Sequence, residues 1–192
     1  MKKIILIGGG GHCKSAIDVI EQEGKFKIAG IIDKPNLLGS KILGYSVIGC
    51  DDDLKSLANK YSYALVTVGQ IKKSTLRKKL FNLANKAKLI LPKVISPSAY
   101  VSKHSSIGKG VIVMHNSIIN ANSSIGDNCI VNTSALIEHD CKISEHCHIS
   151  TNATINGGVN IKSGCFIGSN ATIKQNITIK ENSFIKACSF VK

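Results

Sequence analysis

The chain is 192 residues long, which leaves room for one or two domains, and no stretch approaches the ~18 consecutive apolar residues of a membrane-spanning helix. Its net charge of +13 comes from scattered lysines, without a basic run or interleaved aromatics and with no Trp, which argues against nucleic acid as partner. The opening Met1-Lys2-Lys3 and Ile4 to Ile7 run straight into glycines, too short an apolar region for a signal peptide, so a cytoplasmic protein is expected.

Residues 2–7 read as a buried strand, Gly8-Gly9-Gly10-Gly11-His12 as a tight turn, and Ser15 to Gln22 as a helix. A second strand, Lys27 to Ile32, ends at Asp33 and completes a βαβ unit. Its glycine-rich first turn can offer backbone N–H groups to a phosphate at a helix N-terminus. A dinucleotide fingerprint would need a third glycine where Cys13 stands, and the ~90 residues before the repeat are about half of a doubly wound dinucleotide fold. A mononucleotide or nucleotide-sugar fits this turn better than NAD. Asp51 to Lys60 then reads as helix, Tyr63 to Val68 as strand, Gly69 as turn, Ser74 to Lys86 as helix and Lys88 to Leu91 as a last short strand. The texture changes there, giving an α/β domain over 1–91 and a second domain over 92–192.

From Ile95 to Ile185 every sixth residue is Ile or Val, and four places after each comes a residue that is almost always Ala, Ser or Cys. A short fixed period of one aliphatic and one small side chain reads as a parallel β-helix of hexapeptide repeats. Three hexads make one triangular coil, so residues 18 apart stack about 4.8 Å up the ladder. Proline is absent after Pro97, as an unbroken ladder requires. Cys129, Cys147 and Cys165 fall in one internal column with Cys141 at another corner, and they read as core fillers. No Cys-x-x-Cys pair occurs, so no metal is expected.

Departures from the scaffold pattern concentrate at Ile137-Glu138-His139-Asp140-Cys141. A carboxylate beside a histidine raises its basicity and fixes its tautomer, as a general base requires. The 18-residue rule puts Gly157 over His139, with backbone N–H groups of Gly157-Gly158 as candidate donors to a developing oxyanion. His148, half a coil away, cannot touch His139 within one chain. His104, His115 and His146 read as ordinary surface or corner residues.

The hexapeptide repeat, the Gly-Gly-His turn and the Glu138-His139-Asp140 cluster resemble the sialic acid O-acetyltransferase and bacillosamine N-acetyltransferase family across nearly the whole chain. The resemblance implies a small Rossmann-like nucleotide-sugar domain, then a left-handed β-helix that forms a homotrimer and binds acetyl-CoA between neighbouring helices. It implies His139 as catalytic base and Asp140 as the acid that tunes it. It places His148, Gly157, Ser169 and Ala187 along the coenzyme, and Gly10, Gly11, His12, Asp33 and Gly69 at the nucleotide-sugar. Relatives run on for a further coil with a Gly-x-Pro-Ala tail, whereas this sequence stops at Lys192. The activity expected is acetyl-CoA-dependent N-acetylation of a UDP-linked 4-amino-4,6-dideoxy sugar. O-acetylation of a sialic acid-like sugar is the alternative, and a non-catalytic nucleotide-sugar-binding module is a third reading. A zinc carbonic anhydrase-like β-helix is remote, because the His-x4-His pair it needs does not occur.

Overall fold

The computed structural model describes residues 1–192, in two compact units: Met1–Gly69 with Thr75–Pro92, and Gln70–Ser74 with Lys93–Lys192. No helix is long and apolar enough to cross a membrane.

In the first unit β1 (Lys2–Ile7) pairs in parallel with β2 (Phe26–Ile32) on one side and β5 (Tyr63–Val66) on the other. β3 (Lys41–Ile42) and β4 (Tyr45–Gly49) extend the sheet beyond β2. Ile4 to Ile7 are wholly buried, as a central strand covered on both faces demands, and so read as one apolar run instead of an alternation. Helix α1 (Gly11–Glu23) buries Cys13, Ala16, Ile17 and Ile20 and ends at Gly24, whose φ of 67° supplies the left-handed cap. After the single turn α2 (Leu54–Leu57), helix α3 (Thr75–Lys86) packs Leu80, Phe81 and Ala84 with Ile5, Ile7 and Val66.

Three elements differ from the sequence expectation. The helix expected over 51–60 is a 3-10 turn at Asp51–Asp53 followed by α2. The strand expected over 88–91 is a single bridge from Ile90 to Tyr63. The β3–β4 hairpin was not expected, because its turn uses Leu43 at φ 46° before Gly44, where an Asn-Gly or Asp-Gly signal would be usual.

The second unit is a ladder of two-residue strands, from Val94–Ile95 to Phe190–Val191, in three parallel sheets. Ile118 pairs with Leu136 and Ile119 with Ile137, and the same 18-residue step recurs throughout. The second residue of each strand points inward, and with the small corner residues it forms one continuous core. The first residues point outward and give each face its own chemistry. One face carries Ser106, Ser124, Lys142, Asn160 and Thr178. A second buries Val94, Ile112, Ile130 and His148. The third leaves Tyr100, Ile118 and Phe190 exposed, with Leu136 half-buried among them.

A further series, unread in the sequence, makes the corners. Three places after each aliphatic from Ile107 on sits a residue at positive φ, from Gly110 to Cys188. Asn holds half of these places and Gly three more, since Asn and Gly enter the left-handed region at least cost. Each inward aliphatic touches the coils above and below, so Ile161→Ala should lower stability to urea by about 2–5 kcal/mol. A loss below about 1 kcal/mol would mean that the coils collapse around the gap.

Candidate active site

In the first unit the glycine turn is built around one carboxylate. Asp33 Oδ2 accepts the Gly9 N–H at 2.6 Å and Oδ1 accepts the Lys34 N–H at 2.7 Å. Asp33 therefore holds the turn, and only its remaining lone pairs can receive a ligand hydroxyl. Gly8 has φ 102°, and a Cβ there would lie 2.2 Å from Val68 Cγ2. Thr67 Oγ1 donates to the Gly8 carbonyl at 2.6 Å. Gly10 and Gly11 would meet nothing within 4 Å if given a Cβ, so the N-terminus of α1 is open to an incoming group. Gly69 lies against His12, 3.4 Å from its Cβ by the same construction. A cleft of about 350 Å³ bounded by Gly8, Asp33, Lys34, Cys50, Val68 and Lys79 opens beside the turn. It sits past the carboxyl ends of β1, β2 and β5, where chain connectivity reverses and α/β sheets bind ligands.

In the second unit the corner after Leu136–Ile137 carries His139, with its side chain 65% exposed. Its Nδ1 donates to Asp140 Oδ2 at 2.7 Å, leaving Nε2 with a free lone pair toward solvent. Asp140 occupies one of the left-handed places, φ 62°, and Asn122 Nδ2 on the coil below donates to its Oδ1 at 2.6 Å. The Asp140 hydrogen bond is the main reason that the His139 pKa stands above the ordinary value; burial opposes it, and the charges of Asp140 and Glu138 add to the rise. Asp140 is correspondingly lowered, chiefly by Asn122 and then by His139. Glu138 Oε2 is held by Asn120 Nδ2 at 2.9 Å.

Gly157 lies directly over the ring, where a Cβ would come within 2.8 Å of Cε1 and 2.9 Å of Nε2. Of the two N–H groups expected beside His139, that of Gly158 is donated to the His139 carbonyl at 3.0 Å. The Gly157 N–H remains as the candidate oxyanion donor.

His148 is placed elsewhere. It is 6% exposed, on an outward position of the buried face. Nδ1 donates to the Gln70 carbonyl at 2.5 Å, and Nε2 accepts from Asn132 Nδ2 at 3.1 Å. The Thr133 N–H donating to Asn132 Oδ1 at 2.8 Å fixes that amide, so the two contacts set a neutral Nδ1–H tautomer. The ring meets Phe166 edge-on, and Phe166 stacks on Phe184. Ser169, whose hydroxyl is 3.0 Å from that of Ser150, and the exposed Ala187 stack 18 residues apart at a different corner from His139. One chain thus brings His139, Asp140 and Gly157 together but holds Ser169 and Ala187 across the face that carries Thr154 and Thr172. Asn120 and Asn122, which hold the two acids, lie one coil earlier and were not singled out from sequence. No group of three His, Cys, Asp or Glu side chains is arranged to hold a metal ion.

Comparison with known proteins gives the chain a family. The family described as the PglD N-terminal domain matches residues 3–83. A histidine-to-asparagine mutant of perosamine N-acetyltransferase from Caulobacter crescentus, in complex with CoA and GDP-perosamine, is 32% identical with a TM-score of 0.93. That similarity covers 100% of this chain and 89% of the other. The acetyltransferase domain of PglB from Neisseria gonorrhoeae is 30% identical with a TM-score of 0.92, covering 100% of this chain and 92% of that one. The same domain in complex with acetyl coenzyme A gives 30% identity and a TM-score of 0.90, over 99% and 92% of the two chains. A search of curated proteins found no match. The chain belongs to the hexapeptide-repeat, left-handed β-helix acyltransferases with a PglD-type N-terminal domain. It is an acetyltransferase of that family.

The His139–Asp140 pair has a direct physical test. The His139 ring, followed by NMR, should titrate above the ordinary histidine value of about 6.5. Asp140→Asn should lower its midpoint, because the charge that favours the imidazolium is gone. An unchanged midpoint would mean that the 2.7 Å contact does not persist in solution.

Proposed function

We propose that this protein transfers the acetyl group of acetyl-CoA to the amino group of a nucleotide-linked 4-amino-4,6-dideoxy sugar, with His139 as general base. The observation that carries this reading is the His139–Asp140 hydrogen bond under Gly157. In the reaction the sugar nitrogen attacks the thioester carbonyl while His139 Nε2 takes the proton that the nitrogen loses. Asp140 holds Nδ1–H and balances the imidazolium. The tetrahedral oxyanion forms toward the Gly157 N–H, then the C–S bond breaks and the coenzyme leaves as a thiolate that takes up a proton. Gly10, Gly11, His12, Asp33 and Gly69 serve the nucleotide-sugar, whose diphosphate suits the open N-terminus of α1. UDP is the nucleotide we propose; GDP is the second reading, favoured by the GDP-perosamine bound to a relative. Both substrates would be met in the cytoplasm.

The working form in this proposal is a homotrimer. Tyr100 and Ile118 on one outward face are 58% and 38% exposed and continue into half-buried Leu136, an apolar patch that a second copy would cover, with Thr154 and Thr172 between it and the exposed Phe190. The corner of His139 and Gly157 lies at one edge of that face and the corner of Ser169 and Ala187 at the other. Packing copies on this face would bring one chain's histidine corner to its neighbour's coenzyme corner, with the His148–Phe166 surface beyond it. Sedimentation should give three copies, and a stable monomer at working concentration would remove the shared site.

General-base catalysis contributes about 10²–10⁴-fold, so His139→Ala should lower kcat within that range while the fold survives, the ring being exposed. Gly11→Val fills open space without an internal clash and should raise KM for the nucleotide-sugar while leaving acetyl-CoA affinity near its starting value. Full activity in His139→Ala would overturn the reading. Equal loss of both affinities in Gly11→Val would assign the turn to another role.

A further inference from the structure

The turn that carries His139 is closed differently from its counterparts at another corner of the β-helix. Where the small corner residue is Ala, the turn makes its own bond: Ala135 N–H to the Asn132 carbonyl at 3.0 Å, Ala153 to Ser150 at 3.1 Å, and Ala171 to Gly168 at 3.1 Å. In the turn Glu138-His139-Asp140-Cys141 a hydroxyl from the coil below stands between the two ends. Ser123 Oγ donates to the Glu138 carbonyl at 2.5 Å and accepts the Cys141 N–H at 3.0 Å. Ser123 is 1% exposed and Cys141 is fully buried, so no water can substitute easily. Ser117, equally buried, spends its hydroxyl on its own turn, on the Met114 carbonyl at 2.7 Å.

We propose that Ser123 is a positioning residue for the acetyl transfer, its inserted hydroxyl anchoring both ends of the turn whose two central residues are His139 and Asp140. This rests on the general-base reading of His139. In place of one direct N–H···O bond the hydroxyl makes two bonds in series, which tie both ends of the turn to the coil below. Removing it leaves the Cys141 N–H and the Glu138 carbonyl either buried without a partner or drawn into a direct bond. The first costs stability, and the second moves His139 and Asp140 relative to Gly157 and Asn122, which belong to other coils. A thiol can do the same work more loosely. Cys129 Sγ is inserted in the turn 144–147 in the same way, 3.1 Å from the Ser144 carbonyl and 3.3 Å from the Cys147 N–H. Cys141 itself donates to the Asn156 carbonyl at 3.2 Å, under the turn that carries Gly157. The interior cysteines therefore hydrogen-bond into the turns above them and are more than fillers.

The test compares Ser123→Ala, Ser123→Cys and Cys165→Ala, the last removing an equivalent donor to the Lys180 carbonyl in a turn away from His139. Two readouts are needed: steady-state kinetics with acetyl-CoA and a nucleotide-linked amino sugar, and NMR titration of the His139 ring without substrate. Ser123→Ala should lower kcat about ten- to a hundredfold, as small misplacements of catalytic groups do, with KM for acetyl-CoA little changed. Its His139 midpoint should fall toward the ordinary value as the Asp140 contact loosens. Ser123→Cys should restore kcat to within about threefold and most of the titration shift. Cys165→Ala should match wild type in both readouts. Wild-type kcat and titration in Ser123→Ala, or a Cys165→Ala variant that shifts His139 as much, would overturn the proposal. If Ser123→Ala does not fold, Ser123→Cys decides alone: near-wild-type kcat and titration support the role, and losses as large as those of His139→Ala overturn it. If wild type acetylates no amino sugar yet the titration responds to Ser123, the functional reading fails while the positioning stands.

Discussion

Hydrogen bonding between successive coils is the constraint on which the β-helix site depends. Asp140 N–H bonds to the Ala121 carbonyl, Gly158 N–H to His139, and Asn176 N–H to Gly157, each one coil along. Such bonds leave no freedom of register: a slip by one residue would turn every inward Ile or Val to solvent. The same register that fills the core thus brings Gly157 over the His139 ring and Asn122 under Asp140. Three stretches far apart in sequence meet without a loop having to find its place.

The electrostatics of the site are modest, and geometry does most of the work. His139 and Asp140 are both well exposed, so their ion pair is screened and adds little to stability. What the contact supplies is orientation, by committing Nδ1 to the acid and leaving Nε2 for the proposed acceptor. Asp140 can serve because the fold already wants a left-handed residue there. Asn fills half of such places, and Asp fits the same backbone while adding a charge. The proposed functional acid is a one-atom departure from the scaffold residue.

The β-helix was legible because its signal repeats: the aliphatic and small series give coil length, stacking and core without any tertiary information. His139 and Gly157 could be paired from the 18-residue step alone. The tie from Nδ1 of His148 to the Gln70 carbonyl could not, because the segment Gln70–Ser74 belongs by contact to the second unit while lying within the first in sequence. No periodicity announces that excursion. Asp33 was read as a ribose acid from its place at the end of β2, and that place did not reveal that each of its oxygens already accepts one N–H, from Gly9 and from Lys34. Position gave the residue, and only coordinates gave the partners. The cysteines were read by size, whereas their S–H groups make directed bonds to carbonyls.

The proposed acceptor is a nucleotide-linked amine. Acetyl-CoA labelled with carbon-13 in its acetyl group should be offered to wild-type protein with a panel of UDP- and GDP-linked 4-amino-4,6-dideoxy sugars and free sialic acids. Product should then be followed by carbon NMR. The account predicts an amide-linked acetyl group on a nucleotide-linked amino sugar and none on free sialic acid. An ester-linked acetyl group on a sialic acid hydroxyl, with the amino sugars untouched, would contradict it.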